Sequence, residues 1–208
     1  MLIPGTYYHI FNHANGDDNL FREEKNYPFF LEKYHQHIDP IADTIAWCLM
    51  PNHFHLLVRI KDAEELLLLK DLPKFRTLEG LVNNELKLSH LLSKQFSNFF
   101  SGYSQAFNKV YQRRGSLFIK NFKRKEVNAR SYLFQLILYI HLNPVKHGFT
   151  REVGNWPRSS YFDFWQQQNS LAQQLFETKE AYIRLHTERH TQFTEYNYLE
   201  TDILTSSL

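Results

Sequence analysis

Three segments near the N-terminus have the apolar pattern of β-strands. Residues 6–13 (TYYHIFNH) are rich in β-branched and aromatic side chains, which favour a strand. Residues 44–50 (TIAWCLM) are nearly all apolar, as is typical of a central strand. Residues 53–60 (HFHLLVRI) follow after only Pro51 and Asn52. So short a connection predicts that these two strands pair antiparallel.

Four further segments carry apolar residues at spacings of three and four, which predicts amphipathic helices. The first runs from Glu23 to about His37 and is stopped by the Asp-Pro pair that follows. The second is long, over 85–112, and the third runs from about Ala129 to Leu142. In the third, Asn128 is the expected N-cap and Asn143-Pro144 the expected end. The last is predicted over 171–188, with a fraying tail after it.

The segments between these helices are predicted to be irregular or short. Residues 61–84 hold a leucine run, then Pro73 and Gly80, and indicate an irregular excursion with a short helix. Residues 116–119 and 122–127 are predicted to be two short strands of a hairpin around Lys120-Asn121.

Composition indicates a globular protein with a substantial core. The chain has 208 residues, of which 43% are hydrophobic and 16% aromatic, which fits one domain with added segments, or one and a half domains. Cys48 is the single cysteine, so an internal disulfide framework is excluded and a reducing compartment is favoured. No apolar run approaches the roughly 18 residues of a membrane span. The N-terminus lacks signal-peptide features, so a cytoplasmic location is expected.

Charge is concentrated in one region of the chain. The net charge is only +2, but residues 109–130 contain eight Lys or Arg and one Glu, a local charge of +7. A cationic stripe on an otherwise acidic protein indicates a polyanionic partner at one surface. The plainer interpretation is a solvated basic hairpin. The candidate phosphate contacts in the stripe are Arg113, Arg114, Lys120, Lys123, Arg124 and Lys125.

The candidate chemistry begins with a His-x-His pair. His53 and His55 are two apart in a predicted strand, so their side chains project from the same face. Two neutral imidazoles on one face provide half of a metal site. The plainer interpretation is one core histidine and one surface histidine.

A second group lies in the third predicted helix. Tyr139 and Asn143 are four residues apart and therefore share one helix face. If that face meets the two histidines, two imidazoles and a carboxamide oxygen can hold a divalent cation, Mg²⁺ or Mn²⁺. The Tyr139 hydroxyl could then attack a phosphate and form a covalent phosphotyrosine. The plainer interpretation is a tyrosine with a packed ring and a solvated hydroxyl.

These motifs resemble those of a known family. Residues 50–55 (MPNHFH) and 139–148 (YIHLNPVKHG), in this order, resemble the single-tyrosine HUH transposases, especially the REP-associated tyrosine transposases. Residues 107–109 with 114–118, and Trp156 with residues 159–161, fit the resemblance as well. It covers roughly residues 5–162, which we expect to form one domain with an elaboration at 61–84. Residues 163–208 would be a C-terminal helical extension and tail.

The resemblance implies an α+β fold with a ferredoxin-like antiparallel sheet and helices packed on it. It implies that His53 and His55 bind the metal, that Asn143 is the third ligand, with Gln135 as the alternative, and that Tyr139 is the nucleophile. It further implies cleavage and transfer of single-stranded DNA next to a hairpin, through a 5′-phosphotyrosine.

Two other function classes remain open at this point. One is a domesticated protein that binds structured DNA with lost or weak cleavage activity. The other is a metal hydrolase that uses water, which is disfavoured because no carboxylate base accompanies the His-x-His strand. The expected partner in the leading interpretation is single-stranded or hairpin DNA, with no membrane. Relatives include monomers and homodimers that exchange the tyrosine helix, and no residue here decides between them.

Overall fold

The computed structural model describes residues 1–68 and 85–188, which form a four-stranded antiparallel sheet with helices on both faces. The strand order is β2-β3-β1-β4. The predicted α+β fold with a ferredoxin-like antiparallel sheet is thereby confirmed. The strands are β1 Tyr7–His13, β2 Ala42–Met50, β3 His53–Ile60 and β4 Lys123–Val127.

Seven α-helices are described in these two ranges. The helices are α1 Asn26–Ile38, α2 Ala63–Leu67, α3 Glu85–Val110, α4 Arg130–Lys146, α5 Tyr161–Gln167, α6 Asn169–Phe176 and α7 Lys179–Glu188. The helix α1 packs against α3 on one face of the sheet, while α4 packs on β2 and β3 from the other face. A short 3-10 turn, Val153–Asn155, follows α4.

Strand alternation divides the core in two. Phe54, Leu56 and Val58 of β3 belong to the core beneath α1 and α3. Leu57 belongs to the core beneath α4. Because side chains alternate along a strand, the odd-numbered residues of β3, including both histidines of the predicted site, share the face of Leu57. The sheet therefore separates an apolar face from the face that carries the candidate chemistry.

The predicted hairpin over 116–127 is wrong. Residues 116–119 form no strand, and Phe118 makes only an isolated bridge to Ala14. β4 pairs with β1 instead. The reason is that β1 offers an open edge to β4, whereas the 116–119 segment bonds to the chain just after β1, through Leu117 O to Asn15 N (2.8 Å) and Ile119 N to His13 O (2.9 Å).

The predicted boundaries of the third helix are also wrong. Pro144 lies inside α4, which continues to Lys146 instead of ending at Asn143. Proline removes one backbone donor, but His147 N still donates to Asn143 O (3.0 Å) and every residue from 136 to 145 is buried, so packing outweighs the local penalty. The N-cap is Ala129, without a side-chain cap, and not Asn128.

The C-terminal part contains more breaks than predicted. The segment expected as one helix over 171–188 is two helices, because Glu177 adopts a positive φ of 63° between α6 and α7. Residues 161–167 form α5, which runs across the predicted domain boundary at residue 162. Phe164, Phe176 and Tyr182 bury their rings in the same core as α4.

Parts of several predictions lie outside the described residues. The short helix predicted within 61–84 is present as α2. The rest of that prediction, from residue 69 to 84, and the tail from residue 189 are not among the described residues. In the described part of the chain, no helix combines the length and the apolar character needed to cross a membrane.

Candidate metal and nucleophile site

The structure brings the four predicted residues of the site together in one chain. His53 and His55 come from β3, and Tyr139 and Asn143 come from α4, which lies over that face of the sheet. All four are almost completely buried, with exposed fractions between 0% and 4%. The i, i+4 spacing on α4 lets each of its two residues meet a different histidine.

His55 is the residue that contacts the tyrosine. Its Nε2 lies 3.3 Å from the Tyr139 hydroxyl, and the two rings meet edge-on at 5.1 Å. Its Nδ1 lies 3.0 Å from Nε2 of His9, a buried histidine on β1. His55 therefore has one nitrogen in the site and the other held by a neighbour.

His53 is held at both of its nitrogens. Its Nδ1 lies 2.8 Å from Oδ1 of Asn52, and its Nε2 lies 2.8 Å from Oδ1 of Asn143. An amide oxygen can only accept a hydrogen bond, and a neutral imidazole carries one proton. With that proton on Nδ1, the lone pair of Nε2 and the oxygen of Asn143 face each other. Two converging acceptors are the arrangement that a cation satisfies.

The donor set fits a divalent cation. Two ligand atoms at about 2.1 Å from one ion and at right angles lie about 3 Å apart, close to the separation of His53 Nε2 and Asn143 Oδ1. Nδ2 of Asn143 is buried and has no hydrogen-bond partner in the described chain. No group of three His, Cys, Asp or Glu residues that could hold a metal exists within 1–68 and 85–188. The available protein ligands are therefore two imidazoles and one carboxamide.

Burial keeps His9 and His55 neutral. It lowers the pKa of His9 to about 3, with a smaller contribution from the nearby ammonium of Lys125. It also holds the pKa of His55 well below the usual value, helped by the neighbouring histidines 9, 53, 147 and 13. The neutral imidazole is the form that binds a metal ion, so this environment preserves the lone pair on His55.

Several residues that contact the site were not predicted from the sequence. Among them are His9, which holds His55, Asn52, which holds His53, and Lys146, whose ammonium lies 5.5 Å from the centre of the Tyr139 ring. His9 could have been found from strand pairing, because it lies on the sheet face of the His-x-His pair once β1 is placed beside β3. Asn52 and Lys146 lie within the two motifs, but nothing in their spacing points to these contacts.

His141, between Tyr139 and Asn143, belongs to a different cluster. It is completely buried, and its Nε2 lies 3.0 Å from the Ser160 hydroxyl. Its Nδ1 lies 3.1 Å from Nε2 of His186 and 3.2 Å from the Tyr182 hydroxyl, both on α7. These contacts tie the tyrosine helix to the C-terminal helices, so His141 has a structural role.

The six predicted DNA-contacting residues lie in different settings. Arg113 forms an ion pair with Asp18 and bonds to the oxygens of Gly115 and Ser116, so its charge is already paired within the chain. Arg114 and Lys120 are exposed. Lys125 lies 5.7 Å from the Tyr132 ring, on the side of the sheet that carries the site. Lys120 and Arg124 line a groove at the other side, whereas Lys123 pairs with Phe11 of β1 and so shares the face of Lys125.

Comparison with known proteins supports the resemblance seen in the motifs. No protein-family model matches the chain. A curated protein of Haemophilus influenzae, described as a REP-associated tyrosine transposase, is 26% identical over 121 residues. That match covers 57% of this chain and 58% of the relative, so the two align over little more than half of their lengths.

A solved structure shares the fold. It is described as a REP-associated tyrosine transposase bound to a REP hairpin, and it matches with a TM-score of 0.56 over 85% of each chain, at 16% identity. At this identity the match concerns the fold alone. In its ordered motifs and over 57% of its length the chain is thus similar to a REP-associated tyrosine transposase, and the solved structure adds that the fold is shared.

Proposed function

We propose that the protein is a metal-dependent DNA transposase that cuts and rejoins single-stranded DNA next to a hairpin, with Tyr139 as the nucleophile. The observation that carries the proposal is the contact of Tyr139 with His55, beside the paired ligand atoms of His53 and Asn143. The described relatives, one of them bound to a REP hairpin, support DNA hairpins as the substrate class.

The proposed cation would be held by His53, His55 and Asn143. When bound, it polarises the scissile phosphate and stabilises the charge that develops on the phosphate oxygens. His9 and Asn52 hold the other nitrogens of the two histidines, so that each ring presents Nε2 to the site.

In the proposed reaction the tyrosine hydroxyl oxygen attacks phosphorus in line with the 3′-oxygen of the preceding nucleotide. A tyrosine–phosphorus bond forms, the bond from phosphorus to the 3′-oxygen breaks, and the hydroxyl proton is lost to solvent. The 3′-oxygen takes up a proton and leaves as a hydroxyl, so the product is a 5′-phosphotyrosine and a free 3′ end. One phosphodiester replaces another, which allows a 3′-hydroxyl to reverse the reaction and rejoin a strand.

Two residues of the chain would assist Tyr139. The contact with His55 Nε2 places the hydroxyl beside the proposed metal ligand, and the ammonium of Lys146, 5.5 Å from the ring centre, supplies positive charge next to the attacking tyrosine. The remaining cations of the stripe, in particular Arg114, Lys120, Lys123, Arg124 and Lys125, would bind phosphates and position the DNA.

The proposal is tested by mixing the protein with labelled single strands that carry the palindromes flanking its own gene, with Mg²⁺ or Mn²⁺. We expect a covalent protein–DNA band on a denaturing gel that disappears in Tyr139→Phe and with a chelator. Tyr132→Phe is the matched control, since this tyrosine lies about two turns before Tyr139 on the same helix, where its ring meets Lys125, and it should keep the band.

Other outcomes identify the alternatives. A native-gel shift without any covalent band would contradict the proposed chemistry and indicate a DNA-binding protein without cleavage activity. Cleavage that survives Tyr139→Phe but not the chelator would show that water, and not the tyrosine, attacks phosphorus.

A further inference from the structure

A second group of buried polar side chains surrounds His141, on nearly the opposite side of α4 from Tyr139. Two residues along a helix correspond to about 200° of rotation, so His141 points away from the proposed metal ligands. Its hydrogen-bonding neighbours are Ser160, which precedes α5, and His186 and Tyr182 of α7. All four residues are buried, with exposed fractions of 0–2%. The proposed chemistry uses none of them.

The hydrogen bonds of this group run in one direction. The Tyr182 carbonyl can only accept, so His186 Nδ1, 2.8 Å away, carries the proton and donates it. Burial lowers the pKa of His186 to about 4, so at neutral pH its Nε2 is an acceptor. His141 Nδ1, 3.1 Å from that Nε2, is therefore the donor, and His141 Nε2 accepts from the Ser160 hydroxyl at 3.0 Å. Each imidazole thus has one donated and one accepted bond, and neither ring can turn without losing one.

Both ends of this chain of bonds are fixed to the main chain. Trp47 N, on the edge strand β2, donates to the Ser160 hydroxyl oxygen (2.8 Å), and Ser160 N donates to Trp47 O (2.9 Å). The Ser160 hydroxyl has one proton, and His141 Nε2 at 3.0 Å is a closer acceptor than Trp47 O at 3.3 Å. At the other end, His186 is bound to the carbonyl one turn earlier in α7. His141 therefore connects α4 to the sheet on one side and to α7 on the other.

Stability alone does not explain a buried pair of histidines here. The rings around them, Tyr161, Phe164 and Phe176, belong to the apolar core. Burying two imidazoles costs free energy that their hydrogen bonds offset, whereas an apolar side chain of similar size would be stabilising. Apolar packing is non-directional, while a hydrogen bond weakens steeply when it is bent. The polar pair therefore adds what the surrounding core does not supply, a fixed rotation of α4 about its axis.

The rotation of α4 determines where the Tyr139 hydroxyl lies. A tyrosine hydroxyl is roughly 8 Å from the axis of its helix, so a rotation of about 20° would move it by about 3 Å. That movement is comparable to the entire distance of 3.3 Å between the hydroxyl and His55 Nε2. An in-line attack tolerates far less, since a displacement of about 1 Å can slow a reaction about 100-fold. A residue that fixes this rotation therefore controls the position of the attacking atom.

We propose that His186 is a positioning residue for the Tyr139 hydroxyl, acting through His141 to fix the rotation of α4. The inference rests on the proposed function in taking Tyr139 as the nucleophile. It gives α7 a part in the reaction, although α7 lies outside the residues that carry the family resemblance and supplies none of the proposed metal ligands.

Three variants separate positioning from stability. His186→Phe keeps a ring in the core but cannot accept from His141. His186→Gln restores an acceptor, because its amide oxygen is as many bonds from the backbone as the imidazole Nε2. Phe176→Leu is the matched control, since Phe176 is buried in the same core and its ring lies 5.0 Å from that of Phe134 on α4. It should lower the urea midpoint without removing any hydrogen bond of the group.

The first measurement is the rate of covalent product formation in a single turnover, with saturating DNA and Mn²⁺ and below the unfolding transition of each variant. We expect His186→Phe to react about tenfold more slowly than the wild type, because its tyrosine is misplaced. His186→Gln should recover most of the rate, and Phe176→Leu should react at the wild-type rate. All of these proteins should bind the DNA equally, since the change affects the attack and not the binding of the strand.

Three results would overturn the inference. One is a wild-type rate in His186→Phe. Another is an equal loss of rate in Phe176→Leu, which would make the effect a general loosening of the core. The third is a rate in His186→Gln as low as that in His186→Phe, which would show that the acceptor at this position is not needed.

A second measurement reports on the tyrosine without DNA. The protein is labelled with 3-fluorotyrosine, and among its 12 tyrosines the ¹⁹F resonance of residue 139 is the one missing from Tyr139→Phe. We expect this resonance to shift in His186→Phe but not in His186→Gln or Phe176→Leu, and an unshifted resonance in His186→Phe would contradict the positioning role. If the wild type formed no covalent band, the proposed function would fail, while the resonance would still decide whether His186 positions Tyr139.

Discussion

The two faces of the sheet are built from different chemistry. Beneath α1 and α3 the core is apolar and strongly aromatic, and Phe30 alone makes ring contacts with Phe21, Phe54, Phe99 and Tyr103. The α4 face buries a set of polar side chains among its apolar residues: His9, His53, His55, His141, Asn143, Ser160 and His186.

This difference reflects the free energy of burying apolar and polar side chains. An apolar ring is stabilised by leaving water, whereas a buried polar group is destabilising unless it finds a hydrogen-bond partner. The polar groups of the α4 face are paired mainly with each other, as in His9–His55, His53–Asn143 and His141–His186. The first face therefore supplies stability, and the second holds reactive groups at fixed positions.

The buried polar residues of the α4 face form two clusters with different roles. One surrounds His53, His55 and Tyr139, and the other joins His141 to α7. Because His141 lies between Tyr139 and Asn143 on the same helix, its bonds to Ser160 and His186 fix the rotation of α4 about its own axis. Residues 163–188 thereby help to present the candidate site, although the family resemblance does not extend to them.

The largest expected effect is a loss of stability without a loss of the reaction, from a change on the face of the sheet opposite the site. Phe54 lies between the two histidines but points to the other face, where its ring contacts Phe30 and Phe100. Phe54→Ala should lower the free energy of unfolding by about 3–5 kcal/mol, measured by urea denaturation, because it leaves a cavity in the aromatic core. Below its unfolding transition the variant should still form the covalent DNA product.

Tyr139→Phe should show the opposite behaviour. It removes one hydroxyl and one contact of 3.3 Å, so the free energy of unfolding should change by about 1 kcal/mol, while the covalent product is lost. If Tyr139→Phe destabilised the protein as strongly as Phe54→Ala, the division of roles between the two faces would be wrong.

The next prediction concerns His9 as the residue that positions His55. His9→Phe keeps a ring in place but cannot bond to His55 Nδ1, so Mn²⁺ affinity measured by calorimetry should fall about 10- to 100-fold. His13→Phe is the matched control, since His13 lies on the same strand and stacks on His53 without a bond to either ligand ring. Equal affinities of the two variants would contradict the positioning role.

A smaller effect should appear in the pH dependence of stability. Burial lowers the pKa of His186 from 6.5 to about 4, partly opposed by its bond to the Tyr182 carbonyl. Between these pH values the unfolded chain binds the extra proton, so stability falls as the pH falls. From pH 7 to pH 5 this histidine should account for a loss of about 2 kcal/mol.

Replacement of His186 tests that assignment. His186→Gln cannot titrate, so its unfolding free energy should decline less between pH 7 and pH 5 than that of the wild type, by about 2 kcal/mol. Parallel pH profiles for the two proteins would show that His186 does not titrate as its burial implies.

The sequence predicted those parts of the site that depend on local periodicity. The alternation of β3 places His53 and His55 on one face of the sheet, and the helical spacing places Tyr139 and Asn143 on one face of α4. Once α4 covers that face of the sheet, the two pairs of residues meet. His9 could not be predicted in this way, because its partner is 46 residues away and a single histidine in an aromatic strand has no local signature. The prediction that the helix ends at Asn143-Pro144 was wrong for the converse reason. The local rule that proline ends a helix was outweighed by tertiary packing.

The smallest expected effect is on the salt dependence of DNA binding, and it distinguishes two residues of the cationic stripe. Lys120 is exposed on the groove, whereas Arg113 is bound to Asp18 and to backbone oxygens of its own turn. A phosphate contact releases counterions, so Lys120→Ala should reduce the slope of log affinity against log salt by about 0.7–0.9. Arg113→Ala should leave that slope unchanged and instead cost stability, by about 1 kcal/mol or less for a partly exposed ion pair. A reduced salt slope in Arg113→Ala would show that DNA displaces Asp18 and that the paired arginine is a phosphate contact after all.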